Sequence, residues 1–173
     1  MNKEKKHEVR NFLDYQSRTI LLCAIGAVAL IIIFVLMFAE NSGNKLVIKN
    51  NTNLKLEYVK TNFINADDSI NNSKTANNID SHKTSTLTQK TIDLTGTNAN
   101  LEVRFKFEGK DELFTDAGIF NDKLNGNVKI TFTQKDDNTI NLTVKASNGL
   151  LTSNSIDCNE HYTINLKNGV ISE

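Results

Sequence analysis

The chain has 173 residues, and its 20 lysine and arginine residues balance its 20 aspartate and glutamate residues, so the formal net charge at pH 7 is zero. This balance excludes a global field that would attract nucleic acid or acidic ligands. The two cysteines, Cys23 and Cys158, lie in separate parts of the chain, so we expect no disulfide within the domain that contains Cys158, and that domain must be stabilised by its core.

Residues 1–18 form a short tail that mixes both charge signs. Val9, Phe12 and Leu13 fall at helical spacing, so the tail could continue the following helix along a membrane surface. We interpret it as a solvated cytoplasmic tail.

The tail is followed by an apolar run, residues 19–39, with the sequence TILLCAIGAVALIIIFVLMFA and no charged residue. As an α-helix it would be about 31 Å long, which matches a hydrocarbon core of about 30 Å. The run exceeds the length of a signal-peptide core, and the bulky Met37 precedes Ala39 where a cleavage site needs a small residue. The run therefore predicts an uncleaved, single-pass transmembrane helix that acts as a signal anchor.

Positive charges flank this run unequally. The tail carries five of them, Lys3, Lys5, Lys6, Arg10 and Arg18. The first residues beyond the run carry three, Lys45, Lys49 and Lys55. This bias favours a cytoplasmic amino terminus and a periplasmic or extracellular carboxyl-terminal domain. Small residues also cluster in one half of the run, namely Cys23, Ala24, Gly26, Ala27 and Ala29. This cluster would permit close packing against another helix or against a second copy of the same helix.

Residues 40–64 predict a membrane-proximal β-hairpin, in which KLVIKN and LKLEYVKT are strands and NTN is the turn. Alternation in the second strand places Leu54, Leu56 and Tyr58 on one face. Residues 65–86 are dominated by asparagine, aspartate, serine, threonine and lysine, so we expect a polar, flexible loop.

Residues 87–173 predict a β-rich domain, which could form one unit with residues 40–64. Four runs alternate strictly between apolar and polar residues: NLEVRFKFE, NVKITFTQK, TINLTVKA and HYTINLK. Asp136–Asn138 is expected to form a hairpin turn between the second and third runs. Weaker strands are expected at TLTQKTIDL, LLTSN and GVISE, whereas residues 109–127 fit a strand, a helical turn or an ordered loop. This pattern indicates an antiparallel β-sandwich, with a small β-barrel as the alternative.

The best candidate for chemistry is the pair Cys158 and His161, with His82 as a possible third metal ligand. Residues three apart on a strand point to opposite faces, which argues against this pair. No known catalytic motif is present, so we predict no catalytic, cofactor-binding or metal-binding residues.

Oxygen-bearing side chains at Asp116, Asn121 and Asp122 suggest calcium, but their spacing does not match an EF-hand. Three Asn-x-Ser/Thr sequons begin at Asn50, Asn71 and Asn141, and they are expected by chance at this asparagine content.

The polar strand faces carry Lys106, Lys129 and Lys145 without interleaved aromatic residues. This pattern indicates a solubilising surface rather than a nucleic-acid groove.

The function that fits these features is a membrane-anchored, non-enzymatic binding or structural module of the cell envelope. Its partners would be membrane lipid and an envelope protein, docked through loops or by strand addition. The sequence is also compatible with a homo-oligomer in which a disulfide joins Cys158 of two copies. The alternative is an accessory subunit of a membrane transport or secretion complex, assembled through its transmembrane helix. A third hypothesis is a hydrolase or metal protein that uses Cys158 and His161.

Overall fold

The computed structural model describes residues 17–35, 44–65, 69–148 and 155–173. The chain divides into two compact units, of which the first contains a helix and the second contains the strands. The predicted tail, the last residues of the predicted transmembrane run and the predicted strand LLTSN lie largely outside the described residues.

The helix α1, Ser17–Val35, has a mean hydropathy of 2.6 and is long and apolar enough to cross a membrane. Its large apolar side chains are exposed, from 53% for Ile32 and Ile33 to 69% for Ile20 and Leu22. A helix that presents apolar side chains on every side has no face suited to water.

Strands make up 59% of the described residues. In chain order the described strands are β1 Lys45–Asn51, β2 Leu56–Ile64, β3 Ser69–Ile79, β4 Thr84–Thr88, β5 Ile92–Asp93, β6 Ala99–Phe107, β7 Glu112–Phe120, β8 Lys123–Leu124, β9 Asn127–Gln134, β10 Thr139–Ser147, β11 Ile156–Asp157, β12 Asn159–Asn165 and β13 Val170–Ser172.

Two large sheets form the β unit. One has six strands in the order β13-β12-β10-β9-β1-β4, and the other has five in the order β11-β7-β6-β2-β3, while β5 and β8 form a small ribbon. The sheets are not closed into a barrel, which is consistent with a sandwich-like fold. The barrel alternative is therefore wrong.

The four alternating runs are confirmed as strands β6, β9, β10 and β12. In β6 every second residue from Ala99 to Phe107 is buried. The turn between β9 and β10 is also confirmed, because the Asp136 carboxylate accepts a hydrogen bond from the backbone N–H of Asn138 at 2.9 Å. Residues 109–127, for which the sequence pattern allowed several structures, contain β7 and β8.

The predicted hairpin in residues 40–64 is wrong, because β1 and β2 belong to different sheets. β1 pairs with β4 and runs parallel to β9, whereas β2 pairs with β3 and β6. The parallel β1–β9 pair is also an exception to the predicted antiparallel arrangement.

The crossover between β1 and β2 is held by the buried side chains of Asn50 and Thr52, both 0% exposed. The Asn50 amide donates to the carbonyl oxygens of Leu54, Ile79 and Asp80 at 2.8–3.1 Å. Its carbonyl oxygen accepts the Thr52 hydroxyl at 2.7 Å. These contacts direct the chain away from β1 and join it to the end of β3, so a hairpin cannot form.

The predicted loop in residues 65–86 is also corrected, since it contains β3 and β4. Both are edge strands, which need few apolar side chains because their backbone pairs with a better-buried neighbour. Ala76 and Ile79, each 3% exposed, supply the burial for β3. Composition alone does not reveal this pairing.

Aromatic side chains join the two sheets. The Phe132 ring of β9 lies 5.0 Å from the Phe105 ring and 5.5 Å from the Phe107 ring of β6, in edge-to-face geometry. All three are at most 1% exposed. Such pairs add about 0.5–1.5 kcal/mol beyond the area they bury.

Replacement of Asn50 by alanine should lower the free energy of unfolding by about 2–4 kcal/mol, because it leaves buried carbonyl oxygens without a donor. Urea unfolding of the full chain in non-ionic detergent, followed by circular dichroism, measures this loss. Asn141→Ala, at an exposed position of β10, is the control and should change stability by less than about 0.5 kcal/mol. Equal effects of the two substitutions would contradict the assigned role of Asn50.

Candidate binding surface

The outer face of the five-stranded sheet carries a connected set of charged and aromatic side chains. Because the odd-numbered residues of β6 are buried, its even-numbered residues point outward. Strand register aligns them with residues of β2 and β7 in three rows. These rows define the Arg104 face: Tyr58, Lys106 and Glu112; Lys60, Arg104 and Phe114; Asn62, Glu102 and Asp116.

Arg104 lies at the centre of this face. Its guanidinium donates two hydrogen bonds to the Glu102 carboxylate, from Nε to Oε1 at 2.8 Å and from Nη2 to Oε2 at 2.7 Å. A third bond, from Nη1 to Glu112 Oε1, is 3.3 Å long. The hydrogen bond to Glu102 is the largest cause of the raised pKa of Arg104. A two-point bond fixes the plane of the guanidinium as well as its position.

The Phe114 ring is the most exposed large apolar side chain of this face, at 56%. The Arg104 guanidinium carbon lies 4.7 Å from the ring centroid, which gives a cation–π contact. An exposed aromatic ring thus lies against a cation that is itself hydrogen-bonded to two carboxylates.

The neighbouring row of the Arg104 face, Tyr58, Lys106 and Glu112, also forms hydrogen bonds between charged and polar side chains. The Tyr58 hydroxyl donates to the Glu112 carboxylate, and this bond raises the pKa of Tyr58 and lowers the pKa of Glu112. Lys106 Nζ lies 2.8 Å from Glu57 Oε2 at the margin of the face, and this bond raises the pKa of Lys106.

Sequence patterning misplaced Tyr58 and did not identify Phe114. Tyr58 was expected on the same face as Leu56, but the register with β6 shifts between them, so Tyr58 points outward while Leu56 is buried. Phe114 was missed because apolar and polar residues do not alternate cleanly in β7. A bulge at Gly118, which has a φ of 64°, interrupts that strand.

The predicted calcium ligands are not brought together. Asp116 lies on the Arg104 face opposite Glu102, and burial, followed by the Glu102 charge, raises its pKa. Asn121 follows the end of the same strand, roughly 15 Å further along. Asp122 instead accepts a hydrogen bond from the backbone N–H of Lys123 at 2.7 Å.

Cys158 and His161 are separated by the sheet itself. Cys158 is buried, with Sγ 3.8 Å from the Val144 carbonyl oxygen. His161 is exposed on the other side, with Nδ1 3.3 Å from the Thr143 hydroxyl. His82 lies in the β3–β4 turn, where its Nε2 is 3.2 Å from Asn53 Oδ1. The geometry therefore gives no support to a nucleophile pair or metal site built from these residues.

Within the described ranges, no group of three or more histidine, cysteine, aspartate or glutamate side chains could hold a metal ion. One depression of about 340 Å³ lies between the β6–β7 and β12–β13 turns, and one of about 300 Å³ lies near Asn121 and Asp157. Turn residues form much of both linings, unlike the apolar walls of a typical small-molecule site.

Two of the sequons and the three lysines can now be placed. Asn50 is buried with its amide hydrogen-bonded, whereas Asn141 is exposed. Lys106 belongs to the Arg104 face, but Lys129 and Lys145 lie on the six-stranded sheet, so the three lysines do not share one surface.

Strand addition requires a regular, unprotected edge. β3 has eleven residues, but its register with β2 is irregular, and Lys74 pairs with the buried Thr61. Both features protect an edge. β11 and β13 have two and three residues, which leaves the uncharged, five-residue β4 as the better site for the predicted strand addition.

No known protein family, curated protein or solved structure matches this chain. Its surfaces are therefore interpreted from their own geometry.

The stability of the protein should fall as pH rises above about 9, in part because burial raises the pKa of Cys158 from 9.0 to about 12. Between these values the unfolded chain releases the thiol proton and the folded chain retains it, so alkaline pH favours unfolding. Tyr58 and Tyr162, whose pKa values are also raised, act in the same direction at higher pH.

Urea unfolding at pH 8 and pH 10 measures this effect, with Cys158→Ala as the comparison. The variant should lose less stability over this interval than the parent chain, whatever its stability at pH 8. The same loss in both proteins would show that the Cys158 thiol does not contribute.

Proposed function

We propose that this protein is a non-enzymatic binding module of a cell envelope, anchored by a single transmembrane helix and presenting its β-sandwich outside the cytoplasm. An envelope protein that binds the Arg104 face is its proposed partner. The observation that carries this proposal is the exposed Phe114 ring, oriented by the Arg104 network on a regular sheet.

The anchor is supported by the composition of α1. A helix of 19 residues with a mean hydropathy of 2.6 spans about 28 Å, close to the thickness of a hydrocarbon core. Its exposed apolar side chains gain a favourable environment only in lipid or against other apolar helices.

The docking surface is supported by residue type and by preorganisation. Arginine, tyrosine and phenylalanine are enriched at protein interfaces, and arginine and tyrosine are enriched at the positions that dominate binding. A side chain that is already fixed loses little conformational freedom on binding. The complementary partner would offer an apolar pocket for Phe114, bordered by a cationic group near Glu112 and Asp116.

The orientation can be tested with two cysteine variants, Lys167→Cys in the exposed β12–β13 turn and Lys3→Cys in the tail, each carrying Cys23→Ser. A membrane-impermeant maleimide applied to intact spheroplasts should label position 167 fully and position 3 only after permeabilisation. The reverse pattern would place the β-sandwich in the cytoplasm and overturn this part of the proposal.

The docking surface can be tested by site-specific photo-crosslinking in native membranes. A photoreactive phenylalanine analogue at position 114 should capture one defined protein. The same analogue at position 170 is the control, because Val170 is 52% exposed on the other sheet and should not capture that protein.

Phe114→Ala should reduce co-purification of the captured protein by about tenfold, as expected for a side chain that dominates binding. Val170→Ala should leave co-purification unchanged. Co-purification that survives Phe114→Ala, but is lost when residues 19–39 are replaced by an unrelated apolar helix, would instead favour the accessory subunit.

A further inference from the structure

The outer face of the six-stranded sheet differs sharply from the Arg104 face. Because Leu46, Ile48, Ile130 and Leu142 are buried, the alternate residues of these strands point outward. Strand register arranges them in four rows across β4, β1, β9, β10 and β12. These rows define the lysine face: Thr88, Lys45 and Asn127; Thr86, Val47, Lys129, Lys145 and Asn159; Thr84, Lys49, Thr131, Thr143 and His161; Asn51, Thr133, Asn141 and Thr163.

The lysine face carries four lysines and one histidine, and none of its positions holds aspartate or glutamate. Lys145 stands directly opposite Lys129 in the β9–β10 pair. Like charges at such positions destabilise a sheet. In the described part of the chain, Lys45, Lys49 and Lys145 form no salt bridge.

The two faces therefore give a chain of zero net charge a strong internal asymmetry. On the Arg104 face, the cations Lys60, Arg104 and Lys106 stand among the carboxylates of Glu102, Glu112 and Asp116, with Glu57 at the margin. The lysine face has cations alone, so it is the side of the sandwich that an anionic surface would attract.

The side chains of the lysine face limit which classes of ligand it can bind. Its one aromatic ring, the imidazole of His161, does not make a platform on which successive bases could stack. Its one apolar residue, Val47, is too little for the apolar centre of a protein interface. Lysine binds phosphate as a point charge without demanding a fixed geometry. An array of lysines among hydroxyl and amide groups therefore suits a layer of phosphate groups.

The chain length before β1 favours a lipid source for these phosphates. Only residues 36–44 separate the described helix from Lys45, and they span at most about 30 Å when fully extended. If α1 enters a bilayer, the lysine face stays within reach of the headgroup layer, where its local concentration is high.

We propose that the lysine face binds the anionic phosphate headgroups of the membrane in which α1 is anchored. This inference rests on the proposed membrane anchorage. It orients the sandwich, because lipid bound to one sheet leaves the Arg104 face on the other sheet accessible to a partner protein.

The test uses the full chain in nanodiscs of phosphatidylcholine alone or with about one-third phosphatidylglycerol. An amine-acylating reagent is applied, and the modification rate of each lysine is read by mass spectrometry. Anionic discs at low salt should slow Lys49, Lys129 and Lys145 by about threefold or more, and about 1 M salt should restore their rates. Lys60, exposed on the opposite sheet, is the internal control and should not change.

Two variants with the same change of charge sharpen the test. Lys129→Glu with Lys145→Glu should abolish the protection of Lys49, whereas Lys60→Glu with Lys167→Glu should preserve it. Circular dichroism verifies that both variants are folded. Equal rates in the two kinds of disc, or equal slowing of Lys60, would overturn the proposal.

A further arm adds polyphosphate to the phosphatidylcholine discs. Protection by polyphosphate without protection by phosphatidylglycerol would assign the lysine face to a soluble polyanion and overturn the lipid proposal. Retention of the chain in discs on size-exclusion chromatography reports the anchor separately. A failed anchor is thereby distinguished from a lysine face that does not bind lipid.

Discussion

The structure depends on keeping apolar side chains out of water in two different ways. In the β unit, Phe105, Phe107 and Phe132 are buried against one another between the sheets. In the described helix α1 the large apolar side chains remain more than half exposed. At about 25 cal/mol per Å² of apolar surface, a whole helix left in water would be strongly unfavourable. The helix therefore requires an apolar environment that other molecules supply.

Polar contacts determine how the chain moves between the sheets around this core. Asn50 and Thr52 fix the crossover from β1 to β2, and the Tyr162 hydroxyl of β12 donates to the Asp116 carbonyl oxygen of β7 at 2.7 Å. The inner face of each sheet is buried in the core, and the outer face of each sheet is exposed to solvent. The two outer faces differ in composition. One carries the ionic network around Arg104, in which cations and carboxylates are paired, and the other carries mainly lysine and threonine.

Sequence patterning predicted the features that depend on local periodicity. The alternation in β6, β9, β10 and β12 follows directly from one buried face, and the Asp136–Asn138 turn is encoded by its own side chains. Features set by distant partners escaped prediction. The crossover depends on contacts between Asn50 and the end of β3, and the edge strands depend on pairing with β1 and β2. The Arg104 face could not be assembled from sequence, because a register shift turns Tyr58 outward and three strands contribute to it.

The central claim is that α1 is retained in the protein and held in lipid. Membranes containing the untagged chain can be washed with alkaline carbonate, and the protein that stays in the pellet can be weighed by intact-mass spectrometry. The account predicts that the chain stays with the membranes at its full mass of 19.3 kDa. Release into the wash, or a retained species that lacks the amino-terminal helix, would contradict it.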